Sequence, residues 1–205
     1  MRNLTVPLSE EAVRDLQVGE PVSLNGVIAT GRDAAHKYML ENFIKTGGKA
    51  PDSELDIYTA LKKILQGGVI YHCGPVVTQT DGVWSFAAAG PTTSIREEPY
   101  QAEVIEHFGL RAVIGKGGMG DRTLQACQQF GAVYLHAIGG AATLIAQSVT
   151  EVLTVYKMEF GVPEAFWIIR VENFPAVVTM DSHGNSLHEQ IYQQSSAELA
   201  RLLKG

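Results

Sequence analysis

The sequence is poor in cysteine, in basic residues and in long apolar runs, and each shortage removes a class of protein. Its 205 residues include two cysteines, Cys73 and Cys127. Two thiols are too few for a disulfide scaffold and cannot alone hold an iron–sulfur cluster or a structural zinc. No apolar stretch approaches the ~18 residues of a membrane span. The opening Met1-Arg2-Asn3-Leu4-Thr5 has no apolar segment of leader length, so a cytoplasmic chain with no membrane partner is expected. Lys and Arg number 16 against 22 Asp and Glu, a net charge of −6 with a pI near 5.5. That balance argues against a nucleic-acid surface, although it permits a local basic pocket. With 45% hydrophobic residues and no low-complexity linker, charge block or long repeat, residues 1–205 are expected to form a single globular domain.

Glycine, by contrast, is plentiful: there are 21, with Gly115, Gly117, Gly118 and Gly120 close together and Gly139-Gly140 following. Such clusters mark sharp turns or close approaches of a ligand to the backbone. Around them the pattern is mixed α/β. Residues 4–8 alternate like a short edge strand, and Ser9 caps a helix running to Leu16. Residues 22–29 are β-rich but broken by Asn25-Gly26, which marks a turn or bulge. Helical residues dominate 33–45, and Leu55, Tyr58, Leu61 and Leu65 give one apolar helical face. Strands over 69–72 and 83–86 follow. Then helices over 100–108, 122–130 and 141–147 alternate with strands over 112–114, 133–136 and 152–156, which suggests parallel βαβ units after a β-rich first part. Residues 166–170 and 176–180 read as paired strands turned by Asn173-Phe174-Pro175, and a helix over 189–203 closes the chain.

The unusual residues fall in four segments, each at the end of an apolar run. In Gly31-Arg32-Asp33-Ala34-Ala35-His36, Asp33 is placed to cap a helix, and Arg32 and His36 share one side of its first turn; a plain cap with a solvated arginine explains the segment equally simply. Gly90-Pro91-Thr92-Thr93-Ser94-Ile95-Arg96 offers three hydroxyls and an arginine to a carboxylate, or forms a capped turn. Gly115-Lys116-Gly117-Gly118-Met119-Gly120 sets a lysine in a strand-to-helix turn where backbone N–H groups can face a ligand. Its spacing fits neither GxxxxGK[ST] nor GxGxxG, so a nucleotide is not indicated. His72 and Cys73 are adjacent, a spacing that favours a buried thiol and a structural histidine over a metal site. His107, His136, His183 and His188 form no ligand set. Arg32, Arg96 and Lys116 are thus three cations in turns of an acidic chain, a set that suits a small dianion such as a dicarboxylate.

Taken in order, Gly-Arg-Asp-x-Ala-His-Lys, Gly-Pro-Thr-Thr-Ser-x-Arg, Gly-Lys-Gly-Gly-Met, Gly-Val-Pro-Glu-Ala-Phe-Trp and Asp-Ser-His-Gly-Asn resemble the β subunit of the iron–sulfur class I fumarate hydratases and L-tartrate dehydratases, equivalent to the C-terminal domain of their single-chain relatives. The resemblance runs from about Leu4 to Leu187. It implies a swivelling β/β/α domain that closes over a [4Fe–4S] cluster carried by a partner α subunit, not by this chain, in an α2β2 heterotetramer. It implies that Arg32, Thr92, Thr93, Arg96 and Lys116 bind a C4 dicarboxylate, with Thr92 as proton donor in fumarase-like members and His36 as an acid/base residue in tartrate dehydratase-like ones. The implied reaction is hydration of fumarate to malate, or alternatively dehydration of L-tartrate to oxaloacetate. A non-catalytic dicarboxylate-binding domain would use the same cations. One departure is Glu97, where the family commonly has methionine; a carboxylate there either turns the Arg96 guanidinium or points to solvent.

Overall fold

The computed structural model describes residues 1–203. Strand β1 (Arg2–Thr5) leads through the short helix α1 (Glu10–Arg14) to β2 (Pro21–Thr30), which lies parallel to it. Ser9 caps α1, its hydroxyl accepting from the Ala12 N–H at 3.1 Å. Helix α2 (Asp33–Met39) continues as a π-helical turn over Leu40–Ile44, and α3 (Leu55–Leu65) then returns the chain to β3 (Val69–Tyr71), again parallel to β2. A hairpin of β4 (Val76–Thr80) and β5 (Val83–Ala88) stands outside the main sheet. Next come α4 (Glu98–Phe108), β6 (Ala112–Gly115), α5 (Asp121–Phe130) and β7 (Val133–His136), with β3, β6 and β7 mutually parallel. Helix α6 (Ala142–Ala146), β8 (Val149–Tyr156), β9 (Phe166–Met180) and α7 (Leu187–Leu202) complete the chain.

The architecture is mixed α/β with βαβ units, as the sequence pattern indicates, but the units begin at the N-terminus, and β8 is no parallel member: it pairs antiparallel with β9 alone. The expected pair of strands over 166–180 is instead one 15-residue strand. Its halves are held by a common partner, β2, with Ile28 opposite Ile169 and Val22 opposite Ala176. The turn chemistry of Asn173-Phe174-Pro175 produces only a bulge. Asn173 takes a positive φ of 53°, and its N–H is met by the Asn25 side chain at 2.9 Å. Gly26 bulges opposite, at φ 124°, where a Cβ would lie 2.8 Å from the Val6 carbonyl oxygen. Phe174, fully buried against Tyr71, outweighs the tendency to turn.

Because β9 pairs with both β7 and β2, the sheet closes on itself through β2, β3, β6, β7 and β9. Alternate residues then face two separate cores. Val69, Tyr71, Ile114, Leu135, Trp167 and Phe174 fill one, with α1 and α6 packed against it. Ile70, Val113, Tyr134 and Ile168 face the other, beneath α2, α3, α4 and α5. Strands buried on both faces read as continuous apolar runs, which is why β3, β6 and β7 are so plain in the sequence. Every parallel strand therefore delivers its C-terminal end to the same edge.

Candidate functional site

All four chemistry-bearing segments emerge at that edge, the usual ligand position of parallel sheets. Gly31-Arg32-Asp33 follows β2, His72-Cys73-Gly74 follows β3, Lys116-Gly117 follows β6, and residues 137–140 follow β7. The hydroxyl-rich segment is laid between the ends of β3 and β6 by backbone bonds. The Thr92 N–H donates to the His72 carbonyl (2.6 Å), the Lys116 N–H to Thr92 (3.2 Å), and the Ser94 N–H to Lys116 (3.0 Å). Thr92 and Lys116 are half-buried there, and Thr93 and Arg96 are exposed. Gly117 and Gly118 both take positive φ, near 80°, which turns the chain sharply after the lysine.

Each arginine of the edge has a carboxylate beside it. Arg32 lies 3.3 Å from Glu164, whose other oxygen accepts from the Ala34 N–H at 3.1 Å. Glu164 therefore does the capping that the sequence pattern assigns to Asp33, whose carboxylate pairs with Arg96 instead. Among the described residues the Lys116 ammonium makes no ion pair, and its stem runs past Gly139, where a Cβ would lie 3.5 Å from Cδ. The edge thus holds three cations against two carboxylates, with Lys116 as the uncompensated one. Glu164 is the residue that pattern reading missed; its signal was its place in Gly161-Val162-Pro163-Glu164.

The α5 N-terminus is not an anion cradle. Glu98, from α4, accepts from the N–H groups of Gly120 (2.8 Å), Arg122 (3.1 Å) and Thr123 (3.3 Å), so the donors that could have faced a ligand are used within the chain.

His36 lies beneath the edge rather than on it. It is fully buried, its Nδ1 2.9 Å from the Arg32 carbonyl oxygen and its Nε2 3.0 Å from the Gln101 amide, which also lies 2.8 Å from His72 Nε2. Burial lowers the proton affinity of both rings and holds them neutral. His36 must then donate from Nδ1 to Arg32, so its Nε2 is an acceptor. As placed, Gln101 turns Oε1 to both rings and leaves its NH2 buried without a partner; exchanging the amide's O and N lets the NH2 donate to both ring nitrogens. His72 passes the network on to Ser94 at 2.8 Å, and Ser94 also accepts from Tyr134 at 2.9 Å. Cys73 is buried too, and burial pushes its thiol up to about 12.

Gly115 leaves room for this network. A Cβ there would lie 1.8 Å from Ser94 Oγ and 3.0 Å from the Tyr134 hydroxyl. Gly115→Ala is therefore expected to destabilise the chain by about 1–3 kcal/mol through overpacking and to displace the Thr92–Arg96 segment. A denaturant midpoint matching that of the wild type would show that the network yields without strain.

The closed sheet, with three cations along one strand edge, defines a mixed α/β domain. Comparison with known proteins specifies it further. The family described as the fumarase C-terminus matches residues 2–191, and the chain belongs to that family. It is 51% identical over 199 residues to a putative fumarate hydratase class I of Geobacillus stearothermophilus, covering 97% of this chain but 35% of that protein. It is 39% identical to a putative L(+)-tartrate dehydratase subunit beta of Methanocaldococcus jannaschii, over 96% of this chain and 95% of the relative. It is 36% identical to the L(+)-tartrate dehydratase subunit beta of Escherichia coli K12, over 90% and 85%. The chain thus spans about a third of the fumarate hydratase relative and nearly the whole of the tartrate dehydratase subunits.

Proposed function

We propose that the chain is the β subunit of a class I iron–sulfur hydro-lyase, acting as one swivelling β/β/α unit that grips a C4 dicarboxylate against a partner α subunit in an α2β2 assembly. The observation that carries the reading is the convergence of Arg32, Thr92, Arg96 and Lys116 on one strand edge in a member of this family. Fumarate hydration to malate is the favoured reaction, on the identity of 51% to the fumarate hydratase relative. L-tartrate dehydration is the second reading, because the subunits of that name match this chain over nearly their full length.

A [4Fe–4S] cluster does not fit this chain. Cys73 and Cys127 lie in different cores, burial pushes each thiol up to about 12, and the described residues hold no cluster of three or more metal-ligating side chains. The proposal leaves the cluster to the partner. This chain's own contribution is electrostatic and geometric. Arg32 and Arg96 present planar forks to the two carboxylates. Lys116 stabilises the negative charge that builds on one carboxylate as the adjoining carbon gains or loses its proton. Thr92, between the ends of β3 and β6, handles that proton with the cations beside it, and Thr93 extends the grip on the carboxylate. His36 orients Arg32 through its carbonyl.

The test is turnover by the chain assembled with a cluster-bearing α subunit under anaerobic conditions, followed by loss of the fumarate double bond and, separately, by oxaloacetate formation from L-tartrate. Fumarate hydration is expected. Preferential tartrate turnover would transfer the assignment to the second reading, and dicarboxylate binding without turnover of either would reduce the chain to a binding module.

A further inference from the structure

Behind the Arg96–Asp33 pair stands a carboxyl group that the proposed grip does not use. Glu97, at the junction of the Ser94–Glu97 turn and α4, is fully buried, and neither of its carboxyl oxygens finds a hydrogen-bonding partner among the described residues. An ionised carboxylate in that position would be costly. Arg96 and the Glu97 backbone relieve only a smaller part of the cost. From α2 comes the Asp33 carboxylate, and from the end of β3 comes neutral His72, whose Nδ1 is 4.0 Å away. Tyr134, from β7, is kept protonated by its own burial, and Arg96 is already engaged by Asp33. Burial first, and the charge of Asp33 second, push the Glu97 acid up to about 8. Neither sequence alternative for Glu97 holds as stated: it does not point to solvent, and Arg96 is turned by Asp33.

We propose that Glu97 is a positioning residue that stores a proton behind the site and thereby sets the charge of the edge that binds the dicarboxylate. While neutral, it leaves Arg96 shared with Asp33 alone and Lys116 uncompensated. When it ionises, it draws the guanidinium back and cancels the surplus positive charge, and the dianion is held less well. The role in substrate binding rests on the dicarboxylate reading above; the stored proton and its hold on Arg96 do not.

The experiment therefore has two arms. In the purified chain with 13C-labelled glutamate, the Glu97 carboxyl resonance is identified by its absence in Glu97→Gln. It is expected to titrate near pH 8, with the Arg96 side-chain nitrogen resonances moving on the same curve. A midpoint in the ordinary glutamate range, about 4.3, or an Arg96 signal indifferent to the titration, overturns the proposal. Stability reports the same proton with a definite sign. The folded chain keeps a proton that the unfolded chain releases above about pH 4.3, so wild-type stability falls as pH rises from there to about 8, and Glu97→Gln removes that fall. In the complex with the α subunit, KM for the dicarboxylate is expected to rise on the order of tenfold across that upper limb, the effect of one added charge near the substrate, with kcat little altered. Glu97→Gln should abolish the rise. Identical KM profiles for the two proteins would refute the role in binding. If the complex turns over no C4 dicarboxylate, the functional reading fails, while the resonance titration still decides whether Glu97 stores the proton.

Discussion

Lys116→Ala and Arg96→Ala are each expected to lower kcat/KM of the assembled enzyme by about 10²-fold or more while leaving the chain folded. The two halves of this result come from the same geometry. Lys116 pairs with no carboxylate among the described residues, so its removal breaks no internal ion pair. Its backbone, which holds the Thr92–Ser94 segment through both its N–H and its carbonyl, is untouched by the substitution. Arg96 does pair with Asp33, but its side chain is 52% exposed, and an ion pair so open to water contributes only about 0–1 kcal/mol. Midpoints of thermal or denaturant unfolding should therefore stay close to wild type. Near-normal kcat/KM in both variants would remove the carboxylate grip from this edge.

The two variants should also differ in a way that simple loss of charge does not predict. Removing Lys116 takes away the one uncompensated cation. Removing Arg96 also leaves Asp33 without its partner beside the buried Glu97, which raises the proton affinity of that acid further. Arg96→Lys should recover little, because a lysine offers a point charge where the site presents a planar fork to both Asp33 and a carboxylate. Arg96→Ala is then expected to flatten the alkaline limb of the KM profile, whereas Lys116→Ala keeps it.

Much of this arrangement was legible in the sequence, for identifiable reasons. The central parallel strands are apolar on both faces, so Val69-Ile70-Tyr71, Ala112-Val113-Ile114 and Val133-Tyr134-Leu135 stand out as runs, and the residues just after them lie together on one strand edge. Ser9 and the Asn25-Gly26 bulge were legible because their chemistry is local. What could not be read was set by partners distant in the chain. Strand β9 runs through an Asn-Phe-Pro turn signal because β2 pairs with it on both sides of the bulge. The hairpin strand β4 was missed because Val76–Thr80 is largely exposed and carries no apolar alternation. Asp33 looks like a cap until Glu164, far along the chain, takes that position and frees it for Arg96. Glu97 stands in a polar Arg-Glu-Glu run that suggests solvent, and only the packing of α2, β3 and α4 around it shows that it is buried.

The proton step separates two candidate carriers, and Thr92→Val is expected to have the larger effect on turnover. Valine keeps the β-branched shape that suits the extended backbone, and the bonds from the Thr92 N–H to His72 and from Lys116 to the Thr92 carbonyl remain available. What disappears is a hydroxyl at the cationic edge that no hydrogen bond engages among the described residues. If that hydroxyl carries the proton, kcat should fall by about 10²–10⁴-fold with KM within a few-fold of wild type. His36→Asn should behave differently. The ring is buried, neutral and bonded on both nitrogens, so its replacement leaves the Arg32 carbonyl or the Gln101 amide poorly matched, at about 1–3 kcal/mol of stability. Burial lowers the proton affinity of His36, so the wild-type fold loses stability as pH falls through the ordinary histidine value near ~6.5, and His36→Asn should make that acid slope shallower. Turnover in this variant should keep most of its rate and the same pH profile. Loss of one limb of the pH–rate curve in His36→Asn, with Thr92→Val changing mainly KM, would reverse the assignment. Mild and equal losses in both would place the proton on the partner subunit and leave this edge the work of binding and orientation alone.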